Sequence, residues 1–232
     1  MVKHGNRAVS SRSGSADFLE ALGIDTGASA ERGRACLEEC GFVFLLAPNH
    51  HPTLAQVADV RRRLGVPTVF NQLGPLLNPG HVQRQWVGVA RPERVAITAE
   101  ALDLLGTQRG AVVHGAGGAD ELTLCGAPRF AVVGDLAPMG VELGALGVEA
   151  APIEALRGGS AADNARLLGA TFTGDGGPLS EAVALNAALT LLVAGRCENL
   201  VCGLASAREA LANGSVAALV ERLARRSRGR VA

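Results

Sequence analysis

The chain has 232 residues, of which 48% are hydrophobic, and its 22 basic and 22 acidic side chains cancel in formal charge. This composition argues against a disordered chain. It also argues against a nucleic-acid-binding protein, because there is no global positive charge and only one Trp and no Tyr for base stacking. The five cysteines lack metal-ligand spacing, and no signal-peptide pattern or membrane-length apolar run is present. We therefore expect a cytoplasmic protein with reduced thiols and with no membrane or nucleic-acid partner.

The stretch from Lys3 to Asp17 combines three cations with four serines and two glycines, and it shows no hydrophobic period. It is predicted to be a loop rather than a helix or a strand. Small residues let backbone N–H groups approach an anion, cations neutralise it and hydroxyls add donors, so this stretch has the parts of a phosphate-binding loop. Its composition fits a solvated linker equally well. The apolar run at residues 18–22 predicts a first helix that Ser13 or Ser15 caps and Gly23 ends.

A second helix is predicted from Ser29 or Glu31 to about Cys40, with Gly41 at its end. The continuous apolar run at residues 42–47 is typical of a strand that is covered on both faces. Such strands belong to parallel or mixed sheets in α/β proteins.

Two histidines, His50 and His51, come directly after this strand. Ligands of open α/β sheets bind at the carboxyl ends of strands, so these side chains are candidates for a site, although both can equally serve the turn. A helix is then predicted at residues 53–64, and it contains three consecutive arginines that begin at Arg61. They point about 100° apart around the helix, so they face solvent or one of them turns inward to bind a carboxylate.

The rest of the chain alternates between apolar segments and helical patterns. The remaining strands are predicted at residues 65–71, 85–90, 110–115 and, as an outer strand, 129–133. The remaining helices are predicted at residues 92–105, 160–168, 180–194 and 216–225, and a basic, frayed tail at 222–230. This order predicts an α/β fold with a mixed, largely parallel central sheet flanked by helices.

An acidic pair, Asp120 and Glu121, follows the predicted strand at residues 110–115 after two glycines. Adjacent carboxylates at a strand end are suited to a hard cation such as Mg²⁺, which in turn binds diphosphate oxygens. The same pair is also common in the first turn of a helix. A magnesium site here agrees with the phosphate-binding loop predicted near the start of the chain, because the loop would supply positive donors and the acidic pair would supply the metal.

Several strings resemble one enzyme family in the same order along nearly the whole chain. The first is Lys-His-Gly-Asn-Arg with Ser-Ser-x-Ser-Gly-Ser-Ala-Asp, from Lys3 to Asp17. The others are Ala-Pro-x-x-His-Pro at 47–52, Arg-Arg-x-Leu-Gly-Val-x-Thr-x-Phe-Asn at 61–71, Leu-Gly-Pro-Leu-x-Asn-Pro at 73–79, Val-His-Gly at 113–115, Asp-Glu-Leu at 120–122 and Leu-Asn-Ala-Ala at 185–188. Together they resemble the anthranilate phosphoribosyltransferases, whose large domain has the nucleoside phosphorylase and phosphoribosyltransferase-like fold.

The resemblance implies transfer of phosphoribose from phosphoribosyl pyrophosphate to anthranilate with release of diphosphate, a step of tryptophan biosynthesis. The residues that it assigns to phosphoribosyl pyrophosphate are Lys3, His4, Gly5, Asn6, Arg7, Ala8, Val9, Ser10, Ser11 and Ser15. Those that it assigns to anthranilate are Asn6, Arg61, His4 and His51. It assigns Mg²⁺ to Asp120 and Glu121.

The family also has an N-terminal section, with a Gly-Thr-Gly-Gly-Asp loop and most of a small helical domain, that this sequence does not contain. We therefore expect residues 1–232 to be one α/β domain, in which residues 1–28 form the phosphate-binding loop and first helix. We also expect a fragment with little or no turnover that lacks most of the family's usual homodimer contacts. The alternatives are a non-catalytic relative that binds polyanions through the same cationic groove and a pyrimidine nucleoside phosphorylase. The intact Asn6 and acidic pair disfavour the first, and the loop from Lys3 to Ser15 disfavours the second.

Overall fold

A computed structural model describes residues 1–8, 13–53, 60, 63–66, 68–172 and 177–229. The strands are β1 (Val2–Gly5), β2 (Val43–Leu46), β3 (Arg84–Gly88), β4 (Arg109–His114) and β5 (Arg129–Gly134). The α-helices are α1 (Ser15–Ala21), α2 (Ala30–Cys40), α3 (Ala47–His50), α4 (Phe70–Leu73), α5 (Arg94–Leu104), α6 (Ala161–Thr171), α7 (Pro178–Val193), α8 (Leu200–Ala212) and α9 (Ser215–Ser227). Two short 3₁₀ helices lie at Gly74–Leu76 and Ile153–Leu156. Among the described residues, no helix combines the length and apolar character needed to cross a membrane.

The chain divides into two compact units. The first comprises the described parts of Met1–His81, Gly159–Leu167 and Ala217–Ala232, and the second comprises those of Val82–Gly158 and Leu168–Val216. The described strands form one sheet in each unit, β1-β2 in the first and β3-β4-β5 in the second. The α/β class is confirmed.

The start of the chain is a strand, so the prediction of a loop from Lys3 onward is wrong for β1. β1 pairs in parallel with β2, in a register that places Val2 opposite Val43 and Gly5 opposite Leu46. Four residues are too few to show a hydrophobic period. The backbone ladder with the apolar β2, which was correctly predicted, makes the segment extended.

The first two predicted helices of the chain both form. α1 begins after Gly14, so the prediction of Ser13 or Ser15 as its N-cap is wrong: the Asp17 carboxylate instead accepts the N–H of Gly14 at 2.9 Å. Gly23 follows the end of α1 with a φ of +87°. α2 has Ser29 as its N-cap and ends at Gly41, whose φ of +69° favours glycine, as predicted.

The strand predicted at residues 65–71 is wrong, because Phe70 and Asn71 belong to the helical turn α4. The side chain of Asn71 accepts the backbone N–H of Thr68 at 2.9 Å and so bends the chain where a strand would be extended. The helix predicted at residues 53–64 falls largely on residues 54–59 and 61–62, outside the described residues.

The basic C-terminal segment is ordered through Ser227, so the frayed tail is wrong for residues 222–227. The Ser227 hydroxyl oxygen accepts the backbone N–H of Asp25 at 2.9 Å, and Arg226 pairs with Glu39 at 2.7 Å. Leu223 joins a small core that holds the first helices together, with Ile24, Cys36 and Cys40. These contacts to distant residues keep α9 helical where a basic segment alone would fray.

The second unit is built around β4, which pairs in parallel with β3 and antiparallel with β5. β5 is therefore an outer strand, as predicted. Buried α7 packs against this sheet and against α8, a helix that was not predicted from the sequence. Its apolar residues do recur at helical spacing, and Gly203 allows close approach to α7, because a Cβ there would lie 2.9 Å from the carbonyl oxygen of Ala188.

Candidate functional site

The loop that follows β1 is folded back onto the start of α1. The Asp17 carboxylate accepts the N–H of Ala8 at 2.8 Å and that of Gly14 at 2.9 Å. The carbonyl of Asn6 accepts the N–H of Ala16 at 3.2 Å. The two N–H donors hold the pKa of the Asp17 carboxyl below its usual range, with Ala8 the larger contributor. Asp17 therefore shapes the loop, a role that was not predicted for it from the sequence.

Small residues in this loop are a steric requirement. A Cβ at Gly14 would lie 2.3 Å from the nitrogen of Ala8, and a Cβ at Gly5 would lie 2.4 Å from the hydroxyl oxygen of Ser15. The requirement is strict at Gly14, where the Cβ would meet backbone atoms, whereas the hydroxyl that it would meet at Gly5 belongs to a side chain that can rotate.

The structure places most of the predicted phosphate ligands in one segment. Lys3, Asn6 and Arg7 are exposed, and Arg7 also pairs with Glu20 at 2.5 Å. Val9, Ser10 and Ser11 lie outside the described residues. The phosphate-binding role of the segment stays a prediction.

His4 and His51 are brought together by the β1–β2 ladder. Their ring centroids are 5.0 Å apart with an interplanar angle of 76°. The Nε2 atom of each ring is buried and has no hydrogen-bond partner among the described residues. Buried polar atoms are rarely left without a partner, so the pair has the character of a ligand-facing site. Arg61, the other predicted anthranilate ligand apart from Asn6, lies outside the described residues.

This histidine pair predicts a pH dependence of stability. Burial, followed by the neighbouring charge of His51, lowers the pKa of His4 from the ordinary 6.5, while a backbone contact with Gly74 opposes the shift. An unfolded chain then binds more protons than the folded chain just below pH 6.5, so the free energy of unfolding should fall as pH falls through that window. Urea unfolding at a series of pH values from 8 to 5 measures this change in the free energy of unfolding.

The matched variants for this prediction are His4→Asn and His81→Asn. His81 is an exposed histidine of the same unit whose φ of +46° asparagine tolerates. His4→Asn should flatten the pH dependence, and His81→Asn should leave it unchanged. Equal slopes in the parent chain and the His4→Asn variant would contradict the prediction.

The acidic pair lies in the second unit, beside the carboxyl ends of β3 and β4. A Cβ at Gly88 would lie 1.6 Å from the carbonyl oxygen of Asp120, and a Cβ at Gly115 would lie 1.9 Å from that of Glu121. The backbone of the pair therefore packs directly on the ends of the two parallel strands. Both residues are nevertheless exposed, so the carboxylate-bearing positions are accessible to ligands from solvent.

The amide of Asn186, on α7, holds the residue that follows the pair. Its Oδ1 accepts the N–H of Leu122 at 2.9 Å, and its Nδ2 donates to the carbonyl of Leu122 at 2.8 Å. In the sequence, Asn186 stood out only as a member of a family string. An asparagine inside an otherwise apolar helix is the signal that could have marked it.

The acidic pair suits a magnesium ion whose remaining coordination positions are filled by water and by the phosphate groups of a bound substrate. Among the described residues there is no group of three His, Cys, Asp or Glu side chains that could hold a metal ion by itself. Mg²⁺ commonly takes one or two carboxylates and completes its shell with water and substrate phosphate, so an exposed pair such as Asp120 and Glu121 suits it.

These features define a class of protein, an α/β domain with a folded cationic loop after its first strand and an exposed acidic pair at the ends of two parallel strands. Residues 1–217 match the family model described as "Glycosyl transferase family, a/b domain". The chain is 47% identical over 216 residues to an anthranilate phosphoribosyltransferase of Erythrobacter litoralis, an alignment that covers 92% of this chain and 66% of that protein.

Solved structures agree with this match. The anthranilate phosphoribosyltransferase of Thermus thermophilus is 48% identical with a TM-score of 0.91, and the match covers 98% of this chain and 68% of that one. The Saccharomyces cerevisiae enzyme, in complex with PRPP and Mg, is 30% identical with a TM-score of 0.86, over 98% of this chain and 65% of that one. The chain belongs to the anthranilate phosphoribosyltransferase family, and it spans about two thirds of the length of these relatives. The predicted resemblance is confirmed.

Proposed function

We propose that this chain carries ligand-binding residues of an anthranilate phosphoribosyltransferase: a phosphate-binding loop, a histidine pair and an acidic pair. The reaction breaks the bond between C1 of the ribose and the diphosphate oxygen and forms a bond from C1 to the anthranilate nitrogen. Diphosphate takes the bonding electrons as it leaves. Family membership, together with the accessible acidic pair at the strand ends, is the observation that carries the proposal.

The loop contributes positive charge and side-chain donors toward phosphate. Lys3 and Arg7 are its exposed cations, and the turn through Asn6 and Ala8 is held by Asp17. Such fixed donors stabilise a leaving diphosphate without reorganising during the reaction. The further phosphate ligands of the proposal are His4, Gly5, Val9, Ser10, Ser11 and Ser15.

The acidic pair would hold Mg²⁺ through Asp120 and Glu121. When bound, magnesium neutralises diphosphate charge and so makes it a better leaving group. The relative from yeast has both PRPP and Mg in its solved complex. The chain's own part is to hold two carboxylate-bearing residues in a fixed backbone conformation.

The anthranilate ligands of the proposal are Asn6, Arg61, His4 and His51. An arginine suits the anthranilate carboxylate, because a guanidinium pairs with a carboxylate through two hydrogen bonds. The amine of anthranilate is neutral at pH 7 and attacks without prior deprotonation. Its proton then passes to solvent or a weak base, so positioning contributes most of the catalysis.

Binding tests the proposal without requiring turnover. Titration calorimetry with phosphoribosyl pyrophosphate, in excess Mg²⁺ and then in chelator, gives two dissociation constants whose ratio is the magnesium dependence. Asp120→Asn and Glu121→Gln should each reduce that ratio by about tenfold, which corresponds to about 1.4 kcal/mol. Binding in chelator should stay the same.

Matched controls are Asp135→Asn and Glu149→Gln, which neutralise exposed carboxylates of the same unit. They should leave both dissociation constants unchanged. Magnesium dependence that survives in both Asp120→Asn and Glu121→Gln would refute the proposal. Magnesium-independent binding of a single-stranded oligonucleotide would favour the non-catalytic alternative instead.

A further inference from the structure

We infer that Asn186 is a positioning residue for the acidic pair: its side-chain amide sets the backbone that presents Asp120 and Glu121 to magnesium. The inference rests on the proposed function of the pair. It concerns a residue that would touch neither the metal nor the substrate. Its evidence is a set of hydrogen bonds within the second unit.

Asn186 binds Leu122 at two points, as a neighbouring strand would. The N–H and the C=O of Leu122 both bond to the same amide, at 2.9 Å and 2.8 Å. Paired bonds in opposite directions define the orientation of a peptide as well as its position. Because Leu122 directly follows Glu121, this orientation is transmitted to the acidic pair.

The amide is itself held in place. Its Nδ2 also donates to the carbonyl of Ala182 at 2.9 Å, so both amide protons are used. A separate contact, which does not involve this amide, lies one turn further along α7: Thr190 donates to the backbone carbonyl of Asn186 at 2.9 Å and accepts the indole N–H of Trp86 at 3.0 Å. Trp86 lies on β3, the strand that ends at Gly88 beneath Asp120.

The helix around Asn186 has no local need for this residue. Its neighbours Leu185, Ala188 and Leu189 are fully buried apolar residues. Asparagine is a poorer helix former than alanine or leucine, so the position sacrifices helix propensity. The two hydrogen bonds to Leu122 offset this loss of helix propensity.

Three other contacts restrict the same loop. Gly88 and Gly115 lie against the carbonyls of Asp120 and Glu121, and the hydroxyl of Thr123 donates to the carbonyl of Ala116 at 3.0 Å. The close packing of the two glycines stops the backbone of the acidic pair from moving toward the strand ends, but it does not fix the orientation of the peptides. Asn186 supplies the directional bonds, so its loss should loosen the pair without unfolding the loop.

Variants at Asn186 test the inference by calorimetry with phosphoribosyl pyrophosphate. Asn186→Leu removes all three amide bonds in a similar volume. Asn186→Ser cannot reach Leu122, but its hydroxyl can still bond the Ala182 carbonyl one turn back, so it serves if the leucine variant does not fold. Residues that orient a metal ligand contribute to metal affinity, so both variants should reduce the magnesium dependence, by up to the roughly tenfold loss expected when one of the two carboxylates is removed.

Thr190→Val is the matched control. It breaks the bonds to Trp86 and to the Asn186 carbonyl on the same helix, yet leaves the Leu122 bonds in place. We expect it to lower the unfolding midpoint while the magnesium dependence stays within twofold of the parent chain. A simple loss of packing at α7 would instead make all three variants behave alike.

The outcomes separate this inference from the proposed function. If Asp120→Asn and Glu121→Gln lose the magnesium dependence and the Asn186 variants keep it, the positioning role is wrong and the magnesium site stands. If none of these variants changes the magnesium dependence, both the positioning role and the magnesium site are wrong. Loss in the Asn186 variants and in the acidic-pair variants, but not in Thr190→Val, supports the inference.

Discussion

Gly88→Ala is expected to lower the free energy of unfolding by about 3 kcal/mol, at the upper end of the usual cost of overpacking. The new Cβ would lie 1.6 Å from the carbonyl oxygen of Asp120 and 2.6 Å from its carbonyl carbon. These are backbone atoms, so no side-chain rotation relieves the collision. Either β3 or the acidic pair has to move.

Thermal unfolding and calorimetry together measure this effect. For a chain of this size, about 3 kcal/mol corresponds to a loss of roughly 6–12 °C in Tm. Displacement of Asp120 should also reduce the magnesium dependence of phosphoribosyl pyrophosphate binding. Gly144→Ala is the matched control in the same unit, because a Cβ there meets nothing within 4 Å. A Gly88→Ala variant with the Tm and magnesium dependence of Gly144→Ala would contradict the packing described here.

Gly14→Ala is expected to reduce the affinity for phosphoribosyl pyrophosphate both with and without magnesium. It therefore differs from Gly88→Ala, which should reduce the magnesium dependence of binding. The new Cβ would lie 2.3 Å from the nitrogen of Ala8 and 2.6 Å from the carbonyl carbon of Arg7. The backbone at position 14 has a φ of −100°, which alanine adopts freely, so the effect is purely steric. The loop has to open away from α1.

Affinity should fall by about tenfold or more in excess magnesium and in chelator alike, so the ratio of the two dissociation constants stays the same. Gly27→Ala is the control in the same unit, because its Cβ would make only an ordinary 3.6 Å contact with Asp25. Unchanged affinity in Gly14→Ala would show that the segment after β1 is not the phosphate-binding loop. The two glycine variants thus report separately on the loop and on the acidic pair.

Patterns of neighbouring residues predicted much of the secondary structure of the chain. Gly23 and Gly41 end the first two helices, as backbone freedom at positive φ requires. The apolar run that becomes β2 and the strands that become β3, β4 and β5 were visible because buried strands have distinctive composition. The family strings also indicated the phosphate-binding loop and the acidic pair before any coordinates.

Residues whose partners are distant in sequence were beyond those patterns. β1 is extended because β2 pairs with it, and α9 is helical to its end because Ser227 bonds Asp25, between α1 and α2, and Arg226 pairs with Glu39 on α2. Asn71 is a different case, because its bond to Thr68 spans only three residues and bends a segment whose composition predicts a strand.

The family resemblance and the α/β class were both predicted from the order of the amino acids and are confirmed, and the chemical types proposed for the site come from the same order. Composition, helix-ending glycines and ordered motifs are properties of neighbouring residues, so they can be read along the chain. That Asp17 shapes the loop and that Asn186 holds the segment beside the acidic pair became evident only in the folded chain. Asp17 reaches back nine residues to the N–H of Ala8, and Asn186 bonds the N–H of Leu122 across 64 residues, a separation that is bridged only after the chain has folded.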